Sequence, residues 1–134
     1  MLTIEQAKTT RRTTHHQVKR HTPWGIADFM TTFGPGVTSY STPSHGGFFV
    51  DDLDAMPTEL RKVSNQYCGY HWFEEDCEAA LVVAAHPALF TPDKRFYALR
   101  TIACYYPEQY QEYLHTEHYR THGGGTNPEQ AVSR

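Results

Sequence analysis

The stretch Tyr67-Cys68-Gly69-Tyr70-His71-Trp72-Phe73-Glu74-Glu75-Asp76-Cys77-Glu78, running on through Ala79-Ala80-Leu81-Val82-Val83-Ala84-Ala85 to His86-Pro87-Ala88-Leu89-Phe90, decides how the rest of the chain is arranged. Three carboxylates ahead of an apolar run suit the positive end of a helix dipole. The run Ala79 to Ala85 is apolar on every face, so a helix built from it belongs inside the protein. Pro87 disfavours α conformation at His86 and ends the helix there. These features predict one central, nearly enclosed helix from about Glu74 to about Ala85.

Upstream, Trp24 to Phe33 alternates loosely and Gly34-Pro35-Gly36 is a turn. Val37 to Thr42 has the β-branched and aromatic content of a second strand, and Pro43 to Gly46 is another turn before Gly47 to Asp51. Two close turns between three short runs predict an antiparallel meander, which needs a helix over its apolar face. Asp54 to Val63 reads as a short helix. Downstream, Thr91-Pro92-Asp93 opens a helix with a cap, a first-turn proline and a favourable charge. Pro107 breaks it and starts another, over Glu108 to about Tyr119. The expected fold is α+β: a three-stranded antiparallel β-meander packed on a central buried helix, with two or three flanking helices.

At 134 residues the chain is long enough for one domain with one modest core. All nine Tyr and both Trp lie between Trp24 and Tyr119, so the body can fold. Charge divides unevenly: residues 1–21 carry Lys8, Arg11, Arg12, Lys19 and Arg20 against Glu5, while the remainder is acidic and the whole chain stands at −3. Residues 1–21 therefore read as a basic flexible arm, 22–120 as the domain and 121–134, from near Gly123-Gly124-Gly125, as a disordered tail. No stretch approaches the ~20 apolar residues that span a bilayer. The first 21 residues lack the apolar core of a signal peptide, and three cysteines fit reduced thiols in a cytosol.

Four constellations are candidates for chemistry. The turn His45-Gly46-Gly47 with Glu74, Glu75 and Asp76 offers a sharp corner, an imidazole and carboxylates suited to holding a ligand rather than donating protons. With Tyr70 and His71 these residues form the expected binding site; the alternative is a hydrolase or small-molecule site at His45, Tyr70, His71 and Glu74. Cys68, His71 and Cys77 have ligand chemistry but lack a second close pair for zinc. His115, His118 and His122 share a helix face, yet fall where the last helix should fray. Cys77 as a nucleophile is opposed by its neighbouring carboxylates. No metal and no cofactor is assigned. A further alternative is nucleic-acid binding through the basic N-terminal arm at Arg11, Arg12, Lys19 and Arg20, whose footprint is thin without interleaved aromatics.

Three motifs taken together, Thr22-Pro23-Trp24-Gly25, Ser41-Thr42-Pro43-Ser44-His45-Gly46-Gly47 and Phe73-Glu74-Glu75-Asp76-Cys77-Glu78-Ala79-Ala80, resemble an uncharacterised domain family found on bacterial plasmids and in phages. The resemblance spans roughly Thr22 to Tyr113. Phe73 stands where that family has Tyr, which removes a hydroxyl from any site there. The resemblance implies a mobile genetic element and a bacterial cytoplasm. From it and the acidic body follows the expectation of a non-enzymatic binding protein that inhibits a host defence system, of anti-CRISPR or anti-restriction type. Its expected partner is a host protein such as a defence nuclease complex, and a homodimer is left open.

Overall fold

The computed structural model describes residues 14–61 and 71–122. Five strands form one antiparallel sheet in sequence order: β1 (Thr14–Thr22), β2 (Gly25–Gly34), β3 (Val37–Ser41), β4 (Gly46–Val50) and β5 (Trp72–Glu74). Five helices accompany it: α1 (Thr58–Arg61), α2 (Ala79–Ala85), α3 (Pro92–Tyr105), α4 (Pro107–Leu114) and α5 (Glu117–His122), with a 3₁₀ turn at Leu53–Ala55.

The three central strands follow local chemistry. A two-residue connection, Pro35-Gly36, joins β2 to β3, and Gly36 takes φ 78°, the left-handed conformation that a proline-glycine turn needs at its second corner. Between β3 and β4, Thr42 and His45 close the turn reciprocally: the Thr42 amide donates to the His45 carbonyl at 2.7 Å, and the His45 amide to Thr42 Oγ1 at 3.0 Å.

The sheet is wider than the expected three strands, by one strand at each edge. Residues 14–21, assigned by sequence to an arm, form β1 together with Thr22 and pair with β2, with a bulge between Gln17 and Arg20. At the other edge, Phe73 pairs with Phe48 and Trp72 with Phe49, so the residues expected to open the central helix are drawn into β5. The helix therefore begins at Ala79 rather than near Glu74, after a turn over 75–78.

Register places Val37, Phe48, Val50 and Phe73 on one face, where Val37, Val50 and Phe73 join the main core with Phe48 packed against it. In α2, Ala80, Leu81, Val82, Ala84 and Ala85 are buried, as an all-apolar helix requires. Leu99 and Ile102 of α3 and Tyr110 and Tyr113 of α4 complete this core with Leu60 of α1. Thr91 caps α3 by accepting from the Lys94 amide at 3.2 Å. The expected single helix from Glu108 divides at Thr116, whose hydroxyl accepts from the Tyr119 amide at 3.2 Å and so caps α5. Among the described residues, no helix is long and apolar enough to cross a membrane.

Candidate functional site

The corner His45-Gly46-Gly47 and the segment Glu74-Glu75 meet where β4 begins and β5 ends. Gly47 pairs with Glu74 in the ladder, and the Glu75 amide donates to the Gly46 carbonyl at 2.9 Å. Both glycines are sterically required. A Cβ on Gly46 would stand 2.7 Å from the Tyr40 carbonyl oxygen and 3.1 Å from Glu75 Oε2. One on Gly47 would run into the Phe73 carbonyl oxygen and the Trp24 ring. Glu78 reaches back from the end of the turn, its Oε1 accepting the Glu74 amide at 2.9 Å. Backbone bonds thus fix the path of the turn, and the Glu75 and Asp76 side chains are exposed on it. His45 is exposed beside them.

Of the other residues expected in this site, His71 lies apart. It immediately precedes β5 and lies across from Val50 at the far end of β4, about 13 Å of extended strand from Gly46. Its Nδ1 donates to the Val50 carbonyl at 2.7 Å and its ring stacks on Phe49, centroids 5.6 Å apart. Tyr70 lies outside the described residues, as do Arg11 and Arg12. Lys19 and Arg20 sit in β1. The zinc candidate loses Cys68 to the undescribed stretch, and among the described residues no group of three His, Cys, Asp or Glu side chains could hold a metal.

Electrostatics at the turn work against a thiolate. Burial, followed by the charges of Asp76, the Cys104 thiol, Glu74 and Glu78, pushes the Cys77 thiol up. Burial also raises Glu78, partly offset by its bond from the Glu74 amide. The Tyr106 phenol beside them is pushed up to about 12, by burial first and then by Glu78, Cys77 and Glu74. An arrangement that holds its thiol and phenol protonated presents a negative surface without an activated nucleophile.

Two features had no assignment in the sequence. The first lies on the sheet face turned away from the helices. There Tyr40, Phe49 and Trp72 cluster, with Trp24 edge-on to Trp72 at 5.6 Å. The guanidinium of Arg20 sits 5.1, 5.5 and 5.7 Å from the Tyr40, Phe49 and Trp72 ring centroids. The paired aromatics Phe48-Phe49 and Trp72-Phe73 were the available signal, but the partner Arg20 came from a segment without periodicity. The second is the buried Arg95, with Tyr113 and His118 around it. Of the three histidines near the end of the helical layer, His115 and His122 are exposed, while His118 is half-buried with its ring 4.9 Å from that of His122.

Residues 17–132 match a family model described as a domain of unknown function (DUF7007). No curated protein and no solved structure matches the chain.

Proposed function

We propose that this chain, which belongs to the DUF7007 family, is a non-enzymatic binding protein that engages a host protein through the acidic corner at Glu74, Glu75 and Asp76. The observation that carries the reading is the pinned turn. Glu75 is tied to Gly46 and Glu74 to Glu78 through backbone amides, so the Glu75 and Asp76 carboxylates project from a fixed path. Preorganised charge of this kind promotes association with a basic surface without the ordering cost of a mobile loop. The partner we propose is a bacterial defence nuclease, whose nucleic-acid groove is basic and is occupied here by carboxylates in place of phosphates. A mobile-element origin and a cytoplasmic site of action belong to the same proposal, and rest on the resemblance of the three sequence motifs.

The test is affinity capture from host lysate with the full chain, followed by reconstitution with the purified partner. Neutralising the corner with Glu75→Gln and Asp76→Asn should weaken that complex about tenfold or more, and raising salt should weaken it further. A complex indifferent to both changes would remove the acidic corner from the reading.

A further inference from the structure

The sheet face away from the helices already holds a bound cation, and that cation belongs to the chain itself. Register fixes the geometry: Tyr40 opposes Gly47, Gly47 opposes Glu74, and Phe49 opposes Trp72, so all five share one face. Tyr40 is 6% exposed beneath the guanidinium of Arg20, whereas Arg20 itself is exposed. Trp24 closes the side of the cluster, packed where a Cβ on Gly47 would otherwise stand. Three rings within 6 Å of one guanidinium form a box for a delocalised cation, and Arg is the side chain most often found over such faces. Glu74 supplies a carboxylate on the same face, next to Trp72 along β5.

We infer that this box is a recognition site for an arginine side chain of the protein partner, and that Arg20 occupies it as an internal stand-in until the partner arrives. The inference rests on the reading of the acidic corner as the docking surface, and it names the chemistry of the partner that docks there. A basic groove presents arginines, and an aromatic box adjoining Glu74 accepts one where a purely acidic surface would only attract it. Arg20 reaches the box from β1, an edge strand held by ladder bonds on one side and interrupted by a bulge just before Arg20. Its side chain can leave without breaking a central strand pair. Competition from this internal ligand lowers the apparent affinity of the empty box by the fraction of time Arg20 fills it.

The probe is N-acetyl-arginine amide, with the neutral isostere N-acetyl-citrulline amide as control, titrated into the full chain. The two tryptophans of the chain, Trp24 and Trp72, both belong to the cluster, so intrinsic fluorescence reads the box directly. Arg20→Ala, shown to be folded by far-ultraviolet circular dichroism, should bind the arginine amide at least about tenfold more tightly than wild type and ignore citrulline. No saturable response, or an equal response to both amides, overturns the inference. If Arg20→Ala does not fold, Arg20→Lys decides in its place: its compact ammonium covers the rings less well, and the absence of any gain over wild type overturns the inference. Arginine binding without corner-dependent capture of a host protein would sink the acidic-corner reading and leave the box standing. Corner-dependent capture without arginine binding would do the reverse.

Discussion

The Tyr113 hydroxyl and Nδ1 of His118 stand 2.6 Å apart, and that contact settles the direction of a chain of hydrogen bonds through the helical layer. Arg95 can only donate, and its Nη2 lies 2.7 Å from the same hydroxyl. Tyr113 therefore accepts from Arg95 and donates to His118, which is left neutral, with Nε2–H directed at the Ala85 carbonyl 3.2 Å away. The chain ties α3, α4 and α5 to the last turn of the central helix. It also explains how Arg95 is buried with no carboxylate in contact among the described residues: the His122 carbonyl accepts a hydrogen bond from Nη1 and the Tyr113 hydroxyl one from Nη2.

Stability should fall on mild acidification. Burial is the first cause that lowers His118, followed by electrostatic interaction with His122, Arg95 and His86, with the Ala85 carbonyl opposing them. His86, bonded through Nδ1 to the Val82 carbonyl at 2.8 Å, is likewise lowered by burial. Both groups protonate in the unfolded chain near 6.5 but only at lower pH in the fold. Between those points the unfolded state binds more protons, so the stabilisation is complete above the unfolded value and is lost as pH falls from there through the folded value. The urea midpoint should drop between about pH 7.5 and about pH 5, and His118→Gln should flatten the slope. A midpoint unchanged over that range would contradict a neutral, buried His118.

Removing the tyrosine hydroxyl should be costly for the same reason. Nε of Arg95 already lacks a partner, and Tyr113→Phe would strip another from Nη2. Leaving a buried charged donor unmet costs about 2 kcal/mol. Chemical denaturation of Tyr113→Phe should show a loss of that size, and Tyr97→Phe, at an exposed position on α3, should show almost none.

How far the sequence could be read follows from what each segment is bound to. The helix Ala79–Ala85 is enclosed, five of its seven residues buried, because its composition offers no polar face, and the turns at Pro35-Gly36 and Thr42 to His45 carry their own instructions. The short strand β5 does not: Trp72, Phe73 and Glu74 become a strand only because Phe48 and Phe49 lie alongside, a pairing across more than twenty residues. β1 shows no alternation because it is an edge strand in which only Val18 and Thr22 are half-buried. The juxtaposition of His45-Gly46-Gly47 with Glu74 and Glu75 was legible, since two such glycines invite a close backbone approach. The separation of His71 from that corner was not, because it depends on which end of β4 the preceding segment reaches.

The two kinds of glycine in the sheet should separate in experiment. Gly47→Ala drives a methyl into the Phe73 carbonyl and the Trp24 ring, an overpacking of backbone that should cost about 3 kcal/mol. Gly25, at the start of β2 beside the turn from β1, has φ 116° and no atom within 4 Å of where a Cβ would stand. Gly25→Ala therefore meets only backbone strain, about 1 kcal/mol. Urea titrations of the two variants should rank them in that order. The reverse order would mean that the corner is looser than its contacts imply.

Thiol chemistry tests the charge of the corner independently of any partner. Cys77 stands in the turn after Asp76, half-buried, and its thiol is raised by burial and then by Asp76, Cys104, Glu74 and Glu78. Cys104 is exposed near the end of α3. Alkylation proceeds through the thiolate, so a raised thiol reacts slowly even where reagent can reach it. With iodoacetamide at about pH 8, peptide mapping should find Cys104 modified several-fold faster than Cys77. Asp76→Asn with Glu74→Gln should speed Cys77 while leaving the rate at an exposed thiol nearly unchanged, because those substitutions remove charge without opening the turn. If Cys77 were instead the fastest thiol in the wild-type chain, the carboxylates would not be setting its ionisation, and a nucleophilic role for the corner would regain the ground that the geometry denies it.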